Sequence, residues 1–138
     1  MSEATEELRG LCQGYIADMA EAAKEDAGLS NFVAVVLSGN NQTRRCSAAF
    51  ADKAESLFAR IDGPEELAEA ADYILDLAIE YRDNTAVGLM FTALLSFVTP
   101  KIPASGLPNA ESLRRRVEGA FPPRMRTPVL KDFLKRLG

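Results

Sequence analysis

The sequence predicts an all-α protein: a compact, irregular bundle of about six or seven helices around a central apolar helix. Three observations predict it. Apolar residues recur at steps of three and four in one segment after another, and glycines, prolines and capping side chains punctuate those segments at short intervals. The one run that could be a strand, Phe32 to Leu37, has no candidate partner strand. At 138 residues the chain suits a single domain spanning 1–138, large enough to bury roughly two thirds of its unfolded surface. A short stack of antiparallel helix pairs is the alternative arrangement, although no fixed repeat signature supports it.

The first helix runs from Glu3 to about Asp26, with Leu8, Leu11, Cys12, Tyr15, Ile16, Met19 and Ala23 on one face, Ser2 as cap and Gly28 as stop. Ser30 and Gly39 bracket a second, short helix over Phe32 to Leu37. Asn40, Asn41 and Thr43 offer capping oxygens to a third, whose stripe is Cys46, Phe50, Ala54, Leu57, Phe58 and Ile61. Gly63 ends it and Pro64 suits the first turn of the fourth, where a missing N–H costs nothing. The fourth reaches about Arg82 and turns Leu67, Ala70, Ala71, Ile74, Leu77, Ala78 and Tyr81 inwards. Asn84 then caps a run, Val87 to Val98, that is apolar on nearly all sides, as a helix enclosed by the others should be. The Pro-rich connection at 99–108 is expected to run extended over the surface and is the candidate hinge. A basic helical pair completes the chain. Asn109 caps a helix to Phe121, Pro122 and Pro123 stop it, and Thr127 and Pro128 start the last, which carries Val129, Leu130, Phe133, Leu134 and Leu137.

Composition excludes several function classes. Hydrophobic residues make up 47% and charged residues 26%, as in folded globular chains rather than disordered ones. Histidine is absent, which removes the Ser-His-Asp triad, the Cys-His pair and most zinc sites. Cys12 and Cys46 form no Cys-x-x-Cys pair and are expected to be reduced, structural thiols. The acidic start resembles neither a secretory signal nor a transit peptide, and the apolar run Ala86 to Val98 is 13 residues where a bilayer needs about 20. The expected setting is therefore the cytoplasm or another intracellular compartment. In that setting the Asn41-Gln42-Thr43 sequon reads as a polar loop.

Charge is divided unevenly. Residues 1–100 carry 7 basic and 17 acidic side chains, and residues 101–138 carry 9 basic and 3 acidic, so minus 10 faces plus 6 within a net charge of minus 4. Arg114, Arg115, Arg116, Arg124 and Arg126 crowd into one stretch, and guanidinium forks bind phosphate or carboxylate bidentately. They form a candidate anion-binding surface for an acidic protein, a nucleic acid or a lipid headgroup; the alternative is pairing with the protein's own acidic helix. That helix carries Glu65, Glu69, Asp72, Asp76, Glu80 and Asp83 at steps of four and three, a carboxylate stripe on one face. It has neither the Glu-x-x-His pairs of a di-iron bundle nor the loop of an EF-hand, so a solvated face or a docking surface explains it better than a metal.

No glycine-rich phosphate loop, Gly-x-Ser-x-Gly elbow or Ser-x-x-Lys pair occurs. Gly10 and Gly14 permit close packing against a neighbouring helix, and Met19, Met90 and Met125 read as gap-fillers in the core. The expectation is a non-enzymatic helical interaction protein, an adaptor, regulatory subunit or inhibitor that needs no cofactor and no metal. Another protein is the expected partner, met through Arg114, Arg115, Arg116, Arg124 and Arg126, with Glu69, Asp72, Asp76 and Glu80 as a second surface. The alternative is an RNA- or DNA-binding helical subunit using the basic C-terminal region. An unmarked small-molecule pocket between apolar helices also remains open.

Overall fold

A computed structural model describes residues 2–28 and 42–138. The short helix expected over Phe32 to Leu37, with Ser30, Gly39, Asn40 and Asn41, lies outside the described residues. Those residues form six α-helices and no strand: α1 (Glu3–Gly28), α2 (Gln42–Arg60), α3 (Pro64–Glu80), α4 (Thr85–Val98), α5 (Ala110–Ala120) and α6 (Pro128–Leu137). Two 3-10 turns, Thr99–Lys101 and Pro123–Met125, sit in the connections.

Most starts and stops follow local chemistry. Ser2 Oγ accepts from the Thr5 N–H at 3.1 Å, Asn84 Oδ1 accepts from the Ala86 and Val87 N–H groups at 3.2 and 3.0 Å, and Thr127 Oγ1 accepts from Leu130 N–H at 3.3 Å. Gly63 takes φ 88°, a left-handed conformation that a side chain would disfavour, and so lets the chain turn directly from α2 into Pro64. Asn109 departs from expectation. Its Nδ2 donates to Ala68 O on α3 at 3.1 Å, so the side chain ties two helices together instead of capping α5. Asn109 Oδ1 is left buried without a hydrogen-bond partner among the described residues.

α1 and α2 run antiparallel, since Glu7 meets Arg60, Tyr15 meets Phe50, and Ser47 reaches both Tyr15 and Met19. α5 instead runs in the same direction as α3, because Asn109 bonds to Ala68 while Arg116 reaches Asp72 and Asp76 further along. One hydrophobic cluster gathers buried residues from all six helices, so this is a single interleaved bundle and not a row of independent pairs. On α1 the buried line ends at Ala22; Ala23 is exposed, against expectation.

Phe91 on α4 is fully buried and meets Tyr15 and Phe50 edge-on, at 5.9 and 6.2 Å between ring centres, and Tyr81 at 6.0 Å. α4 therefore occupies the centre, but it is not enclosed on all sides as its composition suggested. Val87, Phe91, Leu94, Leu95 and Val98 are buried, whereas Leu89, Ala93 and Ser96 form an open face.

The Pro-rich connection also differs from the extended surface path expected. Ile102 and Leu107 are buried, Lys101 Nζ donates to Phe58 O at 2.7 Å, and Arg136 Nη2 donates to Ile102 O at 3.0 Å. The apolar residues between the prolines are worth more inside than out, and the two cations tie the connection to carbonyls: Lys101 adds a second bond to Phe58 O, which already accepts from Ile61 N–H, and Arg136 bonds to Ile102 O.

Candidate functional site

The structure disperses the basic residues of the C-terminal region. Of the nine, five are committed within the fold. Lys101 and Arg136 hold the carbonyls just described, Arg115 pairs with Glu111 one turn back on α5, and Arg126 Nε donates to Phe121 O at 2.9 Å. Arg116 spans α5 to α3, its two terminal nitrogens donating to Asp72 and Asp76. Arg114, Arg124, Lys131 and Lys135 have no hydrogen bond or ion pair to the described residues. The acidic stripe is likewise divided. Asp72 and Asp76 face Arg116, Glu69 accepts from the Thr5 hydroxyl at 3.3 Å, and Glu80 stays exposed. Pairing between the basic region and the chain's own acidic helix, the alternative weighed from sequence, is thus present at Arg116. Because both carboxylates are largely solvated, such a bridge is worth about 1 kcal/mol or less and serves more to orient α5 than to hold it.

A different feature stands out. Among the described residues, the large apolar side chains left exposed are Leu89, at 55%, and Met125, at 59%. Both line one cleft of about 440 Å³, bounded by the first turns of α4, by Phe121 and Pro122, and by the start of α6. Three sequence features build it. Asn84 caps α4 so that Gly88 and Leu89 project along one wall; Pro122 and Pro123 break α5 and swing Met125 outwards; Thr127 and Pro128 restart the chain so that Leu130 closes the floor.

Arg82 lines one side of the cleft, while Arg126 is held to Phe121 on the other and Arg124 adjoins Met125. This apolar site is not among those the sequence predicts, and neither Arg124 nor Arg126 is part of its lining; Arg126 is tied to it only through Phe121 O. The sequence predicts Met125 as core and Leu89 as part of an enclosed helix; both are exposed. The signal for the open face was weak: Leu89, Ala93 and Ser96 recur at helical spacing, but alanines and Thr92 are buried elsewhere in the same bundle.

Two further grooves, of about 570 and 690 Å³, run between α1 and α2 and share Gly10, Leu11 and Lys53. Their walls are strongly charged, and neither contains an exposed large apolar side chain. Gly10 and Gly14 face open space there and accommodate no bulky neighbour among the described residues, contrary to the packing role expected for them.

Cys12 and Cys46 are free thiols. Burial pushes the Cys12 thiol up from 9.0 to about 12, and burial with the nearby Asp18 carboxylate raises Cys46 as well. The native state therefore keeps a Cys12 proton that the unfolded chain releases. Stability is expected to be intact below pH 9 and to fall as pH climbs from about 9 towards 12. Burial also raises Tyr15 and Tyr73, which adds to the same alkaline slope. Urea melts of Cys12→Ala across that range should show a shallower decline than the parent; an identical slope would remove Cys12 from this account.

No group of His, Cys, Asp or Glu suited to a metal occurs among the described residues, and no helix among them is long and apolar enough to cross a membrane. No family model matches the chain, and no curated protein or solved structure matches it either.

Proposed function

We propose that this chain is a protein–protein interaction module, an adaptor, regulatory subunit or inhibitor without catalytic chemistry of its own, that seats an apolar segment of another protein in the Leu89/Met125 cleft. The observation that carries the reading is the convergence of the two exposed large apolar side chains on one cleft. Apolar surface gathered in this way is a common property of docking sites, whereas single scattered apolar residues are ordinary. A volume of 440 Å³ falls within the range of ligand pockets, but Leu89 and Met125 project from its walls as contact residues do, not as the lining of an enclosed cavity. The two free thiols suit a reducing intracellular compartment.

The test is comparative capture. The immobilised chain and its Leu89→Glu/Met125→Glu variant are exposed to the same extract, and bound proteins are quantified. The reading expects a defined set of proteins on the parent that is lost from the variant, with the circular dichroism of the two unchanged. Equal capture by both would overturn it.

The nucleic-acid reading draws on Arg114, Arg124, Lys131 and Lys135, the cations of the C-terminal region with no hydrogen bond or ion pair among the described residues. Phosphate contacts by these residues predict saturable binding of labelled RNA or duplex DNA at about 50 mM salt that is largely lost by about 200 mM. The interaction-module reading expects no saturable binding at either salt concentration, as followed by fluorescence anisotropy.

A further inference from the structure

We infer that a second copy of this chain docks on the α1–α2 face, so that two α1–α2 pairs close into a four-helix dimer. The surface is separate from the Leu89/Met125 cleft, and the inference does not rest on the reading of that cleft. The two grooves between α1 and α2 share Gly10, Leu11 and Lys53 and together run from Glu7 and Arg60 at one end to Glu25 and Gln42 at the other. Their walls differ in charge. α1 lines them with Glu7, Asp18, Glu21 and Glu25 and no cation, whereas α2 lines them with Arg45, Lys53 and Arg60 against one carboxylate, Asp52. Apart from Glu7–Arg60, no ion pair joins the walls among the described residues; Asp18, Glu25, Arg45 and Lys53 form none. Opposite charges therefore face one groove without meeting across it.

Such a face complements itself under a two-fold axis parallel to the helices. That operation lays α1 of each copy antiparallel on α2 of the other, so acidic wall meets basic wall twice, and the charge pattern fixes the register. Within one copy Tyr15 stands level with Ser47 and Phe50. The same level in the dimer brings Asp18 and Glu21 to the second copy's Arg45, and Gly10 and Gly14 to its stretch from Ala49 to Lys53. Glycine inside a helix costs stability relative to alanine, yet nothing among the described residues lies within 4 Å of a Cβ at Gly10 or Gly14. The bare backbone instead lets a helix of the second copy approach closely. A face about 27 Å long and two helices wide gives about 1,000 Å² of buried surface in total, the size of a weak, reversible dimer. The grooves and the cleft share no lining residue, so the dimer presents two clefts to a partner.

The experiment is sedimentation equilibrium on the intact chain, its charge variants and their mixture. The parent should sediment as a reversible dimer of 15.0 kDa chains that weakens as salt is raised. Arg45→Glu/Lys53→Glu makes both walls acidic, and Asp18→Lys/Glu21→Lys/Glu25→Lys makes both basic. Each variant alone should associate about tenfold more weakly than the parent or worse. Mixed, the acidic walls of one variant again face the basic walls of the other, and dimers should return. Gly10→Leu/Gly14→Leu should also dissociate with its helicity intact, because the added side chains meet nothing within the chain. A parent that stays monomeric at sub-millimolar concentration, association unmoved by the charge or glycine variants, or a mixture that fails to reassociate would overturn the inference. A dimer lost only in Leu89→Glu/Met125→Glu would assign self-association to the cleft and overturn it equally. Circular dichroism and thermal melts of each variant establish that the comparison is between folded proteins.

Discussion

Replacing Phe91 with alanine is expected to lower stability by about 4 kcal/mol, within the range found for truncating a fully buried aromatic. The ring has no exposure and touches Tyr15, Phe50 and Tyr81, which come from α1, α2 and the turn after α3. Alanine would remove the transfer free energy of the ring and leave a cavity walled by three other aromatic rings, which can close only if three elements shift together. A domain of this size has a total stability of about 5–15 kcal/mol, so the variant should melt at least about 10 °C lower and sit close to unfolding at physiological temperature. Thermal and urea melts provide the check. A loss below about 1 kcal/mol would mean that α4 is not the centre of the bundle.

Gly88→Ala is expected to have an effect of similar size for the opposite reason, an added atom. A Cβ at this position would lie 2.2 Å from Tyr81 O and 3.0 Å from Tyr81 C. Both obstacles are backbone, so no side chain can swing aside. The same Tyr81 carbonyl accepts from Asn84 N–H at 2.8 Å and thereby shapes the turn that delivers the cap of α4. Alanine ordinarily favours a helix interior over glycine by about 1 kcal/mol, so a measured loss at this position must exceed that gain before it appears. The expected net loss is about 3 kcal/mol, and the disturbed turn should weaken cleft binding as well, since Gly88 lines the cleft. A stabilised Gly88→Ala protein would show that α3 and α4 are not closely apposed at this point.

The helices were legible because their causes are local. Periodic apolar residues, Pro64, Asn84 and Thr127 each act within a turn or two of where they stand, and each is found where the sequence placed it. What was not legible depends on which helix lies opposite. Asn109 has the right chemistry for a cap, but Ala68 O, 41 residues away, competes for its amide. Arg116 looked identical to Arg114 and Arg115 until the path of α5 alongside α3 brought it to Asp72 and Asp76. The cleft was invisible for the same reason. Leu89 is apolar by composition and exposed because no element among the described residues covers that face of α4.

The parallel course of α5 beside α3 has an entropic consequence. α3 and α4 are joined by a tight turn and can pair soon after they form, whereas Arg116 reaches Asp72 across a separation of 44 residues. Closing so long a loop carries an entropic cost that the sequence-local pairing of α3 with α4 does not. The cleft is built from α4 on one side and the C-terminal segment on the other, so it exists only in chains where the two are docked together. A ligand of the proposed cleft would therefore bind only chains in which both walls are in place, and would stabilise them by that preference.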